Sequence, residues 1–86
     1  MIKVVKEERN PIIQAEEQFD IFCDILESQF NNPSMGEKAE RTAKNRIILE
    51  LPGGTDEFVR MANGNIIHYM DYPDENIQET VMYETL

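Results

Sequence analysis

The sequence predicts an α+β fold, with one main amphipathic helix packed on an antiparallel sheet of three to five strands. Three observations lead there. An apolar stripe of helical period runs through residues 11–30. The second half of the chain alternates short β-rich runs with turn residues. The length of 86 residues and apolar content of 41% suit one acidic domain, spanning residues 1–86, with a single core.

The helix is the strongest element. Asn10 is a favourable N-cap, and Pro11 fits the first helical position, where a missing N–H does no harm. At about 100° per residue, Ile12, Ala15, Phe19, Phe22, Cys23, Leu26 and Phe30 share one side. Asn31, Asn32 and Pro33 then end the helix near Phe30. Ahead of it, residues 1–6 (MIKVVK) are β-branched enough for an edge strand, where lysines are at home.

Residues 31–36 read as a turn. Residues 36–45 (GEKAERTAKN) have helix-forming composition and few apolar residues, which predicts a short exposed helix or an ordered loop. Strands follow at Arg46–Leu51, ended by Pro52-Gly53-Gly54, and at residues 57–62 and 66–72 around Asn63-Gly64. Asn-Gly between apolar runs is a hairpin signal. Thr55-Asp56-Glu57 also reads as a helix start with Gly64 as its stop, but that helix would hold only about two turns, so the hairpin is preferred. After residues 73–76, the stretch 78–83 (QETVMY) predicts a further strand.

The net charge is −9, from 17 acidic and 8 basic residues. Such an excess repels nucleic acid and anionic lipid and attracts basic proteins. Residues 11–30 carry −5 and residues 47–86 carry −7, on either side of a basic segment with Lys38, Arg41, Lys44 and Arg46. The single cysteine, Cys23, excludes an intramolecular disulfide and a cysteine-rich zinc site. A lone thiol suits a reducing compartment, so a cytoplasmic protein is expected. No apolar run is long enough for a signal peptide or a membrane span.

Catalytic groups are sparse. His68 lies within a strand pattern, with Asp71 as a partner of suitable chemistry, and Cys23 lies on the apolar stripe as a small hydrophobe. Pro52-Gly53-Gly54-Thr55 lacks the lysine and glycine spacing of a phosphate loop. Asp71, Asp74 and Glu75 lack the ligand spacing of a calcium loop. The expectation is a protein that is not an enzyme and uses no cofactor or metal.

The other side of the helix carries the functional signal. With Glu16 at 0°, Glu27 falls near 20°, Asp20 near 40°, Asp24 near 80° and Glu17 near 100°, by the ~100° step. No lysine or arginine occurs between Pro11 and Phe30. Like-charge pairs three or four residues apart cost roughly 0.2–0.5 kcal/mol each, so this face weakens the free helix by about 1–2 kcal/mol. Ile21 and Ile25, near 140° and 180°, lie beside the acids as apolar anchors. Carboxylates climbing the face in steps of roughly 4.5–6 Å approach the ~3.4 Å phosphate spacing of a duplex strand.

An acidic protein also has acidic faces through composition alone. Clustering on one arc nevertheless suggests a surface for a cationic partner. In type, and without a shared motif, a short acidic α+β chain lacking a catalytic set is similar to the small DNA-mimicking inhibitors made by bacteriophages. That likeness implies an inhibitor or regulator of a basic, nucleic-acid-binding protein, with no direct contact to nucleic acid or membrane. The expected contact set is Glu16, Glu17, Asp20, Ile21, Asp24, Ile25 and Glu27, helped by Asp71, Asp74 and Glu75. The alternative is a structural or adaptor protein that acts through homodimerisation or a sheet-edge contact.

Overall fold

The strongest β segment, Arg46–Leu51, becomes the strand β3 near one side of a six-stranded sheet. The computed structural model describes the backbone of residues 2–6 and 16–84 and the side chains of residues 18–84. The sheet runs β1 (Ile2–Lys6), β6 (Ile77–Glu84), β5 (Ile66–Tyr72), β4 (Gly54–Arg60), β3, β2 (Lys38–Ala43) in spatial order. Strands β2 to β6 form an antiparallel meander, and β1 adds to its edge parallel to β6. The helix α1 (Glu16–Gln29) packs on one face, so the molecule is α+β as its patterning predicts. The predicted start at Pro11 lies outside the described residues.

The helix stops where its sequence directs. Phe30 N–H still bonds Leu26 C=O, and Asn31 Nδ2 then donates to Glu27 C=O at 2.9 Å. Phe19, Cys23 and Leu26 reach Ala39, Ile47, Leu49 and Ile66 to form the buried core, with Phe22, Phe30, Phe58 and Tyr83 packed around it.

Residues 38–43 are a strand, not the exposed helix or loop that their composition predicts. Propensity is a weak prior, and pairing with β3 supplies hydrogen bonds on one side while Ala39 is buried beneath α1. On the other side of β2, Asn31 Oδ1 accepts from Ala39 N–H at 3.0 Å. Arg41 donates to the Ala43 and Lys44 carbonyls, and the β2–β3 register shifts between Arg41 and Ala43. A capped and bulged strand with charged side chains is a poor template for edge pairing.

The helix alternative for Thr55-Asp56-Glu57 is overturned, because these residues lie inside β4 and pair on both sides. The hairpin forms at the expected place with a longer loop. Its last pair is Arg60 with Ile66, Gly64 N–H bonds Met61 C=O, and Asn63 Oδ1 accepts from Asn65 N–H. Gly64 takes φ 92°, but Asn63 does not enter the positive-φ region that a two-residue Asn-Gly turn requires. Gly54 is needed for another reason: a Cβ there would stand 2.1 Å from the Asp71 carbonyl oxygen.

Candidate functional site

The period of α1 sorts its residues as the wheel predicts. Asp20, Ile21, Asp24 and Ile25 are exposed, and Glu27 is half-buried. The isoleucines stand 51% and 48% exposed, a large apolar area to leave on the outside of a helix. Glu16 and Glu17 open α1, and their side chains lie outside the described residues.

The helix has no cation of its own, but the sheet supplies one. Arg41 of β2 forms an ion pair with Asp20 across 21 residues of sequence, and its side chain is the more sheltered of the two, 23% exposed against 52%. Their junction borders an open hollow of about 460 Å³ lined also by Thr42, Ala43 and Lys44. The wheel missed this partner because Arg41 is remote in sequence and sits in the segment whose strand character composition hides. Of the described carboxylates on the arc, Asp24 and Glu27 form no ion pair with a described residue.

The remaining acids form a separate group. Asp74 and Glu75 lie in the 3-10 turn Pro73–Glu75 between β5 and β6, and Asp71 is near the end of β5. Asp71 is in register with Thr55 and Gln78, on the sheet face opposite α1. The β5 strand is three places from β2, or about 14 Å at ~4.8 Å per strand. Strand geometry therefore brings Asp71, Asp74 and Glu75 to one end of the sheet and sets them apart from the helix face.

A second constellation lies under the helix side of the sheet. Asp56 is the one buried charged side chain among the described residues. His68 Nε2 contacts Asp56 Oδ1 at 2.8 Å, Tyr72 OH donates to Asp56 Oδ2, and His68 Nδ1 lies 3.2 Å from Tyr83 OH. Asp71 is therefore not the partner of His68. Residues an odd number apart on a strand point to opposite faces, and the antiparallel register brings Asp56 to the histidine instead. Once β4 is known to begin at Gly54, an acid alternating with Phe58 is recognisable as a buried one.

Aromatic rings extend this network into the core. Phe58 stacks on His68 with centroids 4.2 Å apart, and Phe22 meets Phe58 edge-on at 5.2 Å. Both imidazole nitrogens have hydrogen-bond partners within the protein, and Phe58 covers one ring face. Among the described residues, no group of three or more His, Cys, Asp and Glu side chains is placed to hold a metal ion. No helix among them is long and apolar enough to cross a membrane.

Two acids of the weaker kind, buried Cys23 and half-buried Tyr72, titrate late. Burial pushes the Cys23 thiol up to about 11; Glu27, Asp20 and Asp24 add to the rise, and Arg41 opposes it. Burial and then Asp56 raise the Tyr72 phenol to about 12. Both shifts favour the protonated form in the folded state. Their stabilisation is complete below pH 9, the ordinary thiol value, and is lost as pH rises through about 11 and about 12. Thermal melts should hold their midpoint up to about pH 9 and fall from there to about pH 12, and Cys23→Ala should flatten the first part of that fall. An unchanged slope would show that the thiol does not take part.

The chain matches no protein-family model, no curated protein and no solved structure.

Proposed function

We propose that this protein is a non-enzymatic inhibitor or regulator that docks the outer face of α1 onto a basic, nucleic-acid-binding protein. One observation carries the reading: Ile21 and Ile25 stand about half exposed beside Asp24, which has no ion pair with a described residue, and half-buried Glu27, on a helix with no cation. Apolar anchors beside charges of one sign provide both burial and steering toward a cationic surface. The net charge of −9 extends the attraction and discourages direct contact with nucleic acid.

The ion pair with Arg41 divides the roles of the acids. Asp20 helps hold α1 to β2, whereas Asp24 and Glu27 are available to a partner. Removing their negative charges with Asp24→Asn and Glu27→Gln relieves two like-charge pairs, Asp20/Asp24 and Asp24/Glu27, so the isolated protein should keep its stability or gain roughly 0.4–1 kcal/mol. Capture of proteins from a host lysate at low and high salt, followed by elution with duplex DNA, tests the function. The reading expects nucleic-acid-binding proteins that are retained at low salt, released by salt or DNA, and lost with the double variant. Capture that ignores salt, DNA and both substitutions would overturn it.

A further inference from the structure

Asn63-Gly64 is the one place in the sequence where glycine follows an asparagine or aspartate. Glycine has no Cβ, so its amide nitrogen is open to the side chain of the residue before it. The other asparagines are followed by Pro11, Asn32, Pro33, Arg46, Ile66 and Ile77, which either lack an N–H or shield it with a side chain.

The structure places this pair in the loop between β4 and β5. Met61 N–H donates to Asn65 C=O at 2.7 Å and closes the loop, and Asn63 stands exposed at its tip. The Asn63 amide is already oriented. Its Oδ1 accepts from Asn65 N–H at 3.0 Å, an Asx turn that folds the side chain back along its own backbone. The restraint lies on the other partner: Gly64 is buried, and its N–H bonds Met61 C=O at 3.0 Å.

We propose that Asn63 is a site of spontaneous deamidation, which converts this loop to an isoaspartyl linkage and is paced by opening of the loop, not of the domain. Gly64 N attacks Asn63 Cγ. The N–Cγ bond forms, the Cγ–Nδ2 bond breaks, and Nδ2 leaves as ammonia with the proton of the Gly64 amide. Negative charge develops on Oδ1 during the attack, where Asn65 N–H already donates, as backbone amides do at an oxyanion. Water then opens the cyclic imide at either carbonyl. Cleavage at Cγ gives aspartate. Cleavage at the backbone carbonyl routes the chain through Cβ and Cγ and leaves the α-carboxylate free. Either product is one unit more negative than the starting −9.

The gate is small. Only the bond from Gly64 N–H to Met61 C=O has to open, and one hydrogen bond is worth about two- to tenfold in an equilibrium constant. Unfolding the whole domain costs a factor on the order of 1,000 or more. The isoaspartyl product adds one atom to the backbone of a loop whose ends are fixed by the Arg60–Ile66 pair, so the turn must rearrange and the hairpin weakens. The inference concerns this loop and does not rest on the function proposed for α1.

The test follows the full chain in mildly alkaline buffer, with and without urea, by residue-resolved mass spectrometry and by methyl transfer from a labelled donor with an isoaspartyl methyltransferase. Asn63 should gain the mass of an NH2-to-OH exchange ahead of every other asparagine, methyl acceptance should rise with it, and Asn63→Ser should abolish both. The native rate should lie within about tenfold of the rate in urea. Conversion first at another asparagine, or none in the folded protein, would overturn the site. A native rate more than about a hundredfold below that in urea would overturn the loop gate, because the reaction would then wait for global unfolding. The isoaspartyl fraction should melt below Asn63→Asp, which carries the same charge on an unaltered backbone. Equal midpoints would overturn the claim that the linkage disturbs the hairpin.

Discussion

Phe19→Ala is expected to destabilise the protein by about 3–5 kcal/mol, because the ring is 1% exposed and its loss leaves a cavity between α1 and the sheet. A domain of this length has roughly 4–13 kcal/mol in total, at ~0.05–0.15 kcal/mol per residue. The variant should therefore be unfolded or close to it at room temperature. Phe22→Ala should cost less, because Phe22 is only half-buried. Urea titration followed by circular dichroism distinguishes the two. Equal losses would show that the helix is anchored by its whole stripe and not chiefly through Phe19.

Asp56→Ala should have an effect of similar size by a different route. The substitution removes an acceptor shared by His68 and Tyr72, and each buried polar group left without a partner costs about 1–3 kcal/mol. The expected loss is about 2–6 kcal/mol, the sum for the two partners left without an acceptor. Replacing the whole set in Asp56→Leu/His68→Phe/Tyr72→Phe should be milder, since no donor is then orphaned. Phenolate absorbance gives a second readout. In Asp56→Asn the Tyr72 phenol should titrate below its value of about 12 yet remain above 10, because burial is the larger cause of the shift. A single-variant loss below about 1 kcal/mol would mean that water reaches these groups and replaces the carboxylate.

Both substitutions lie on the side of the sheet that sequence patterning describes best. The stripe from Phe19 to Phe30, the strand at 46–51, the hairpin around Gly64 and the last strand all follow from spacing, because side chains repeat every 3.6 residues on a helix and every 2 on a strand. The same spacing places Asp20, Ile21, Asp24 and Ile25 on the exposed side of α1, where the structure finds them. These features depend only on neighbours within a few residues.

What tertiary structure alone decided depends on partners distant in sequence. Residues 38–43 become β2 because β3 offers them a ladder, against their helical composition. Asp56 turns from an apparent helix start into the centre of a buried network because β5 brings His68 and Tyr72 opposite β4. Arg41 reaches Asp20 because α1 lies over β2, and strand order places Asp71, Asp74 and Glu75 on and after β5, three strands from β2. Composition and period state which residues avoid water. Register and strand order determine which charges meet, because an ion pair requires two side chains within a few ångströms, and local spacing carries no information about residues that chain topology alone brings together.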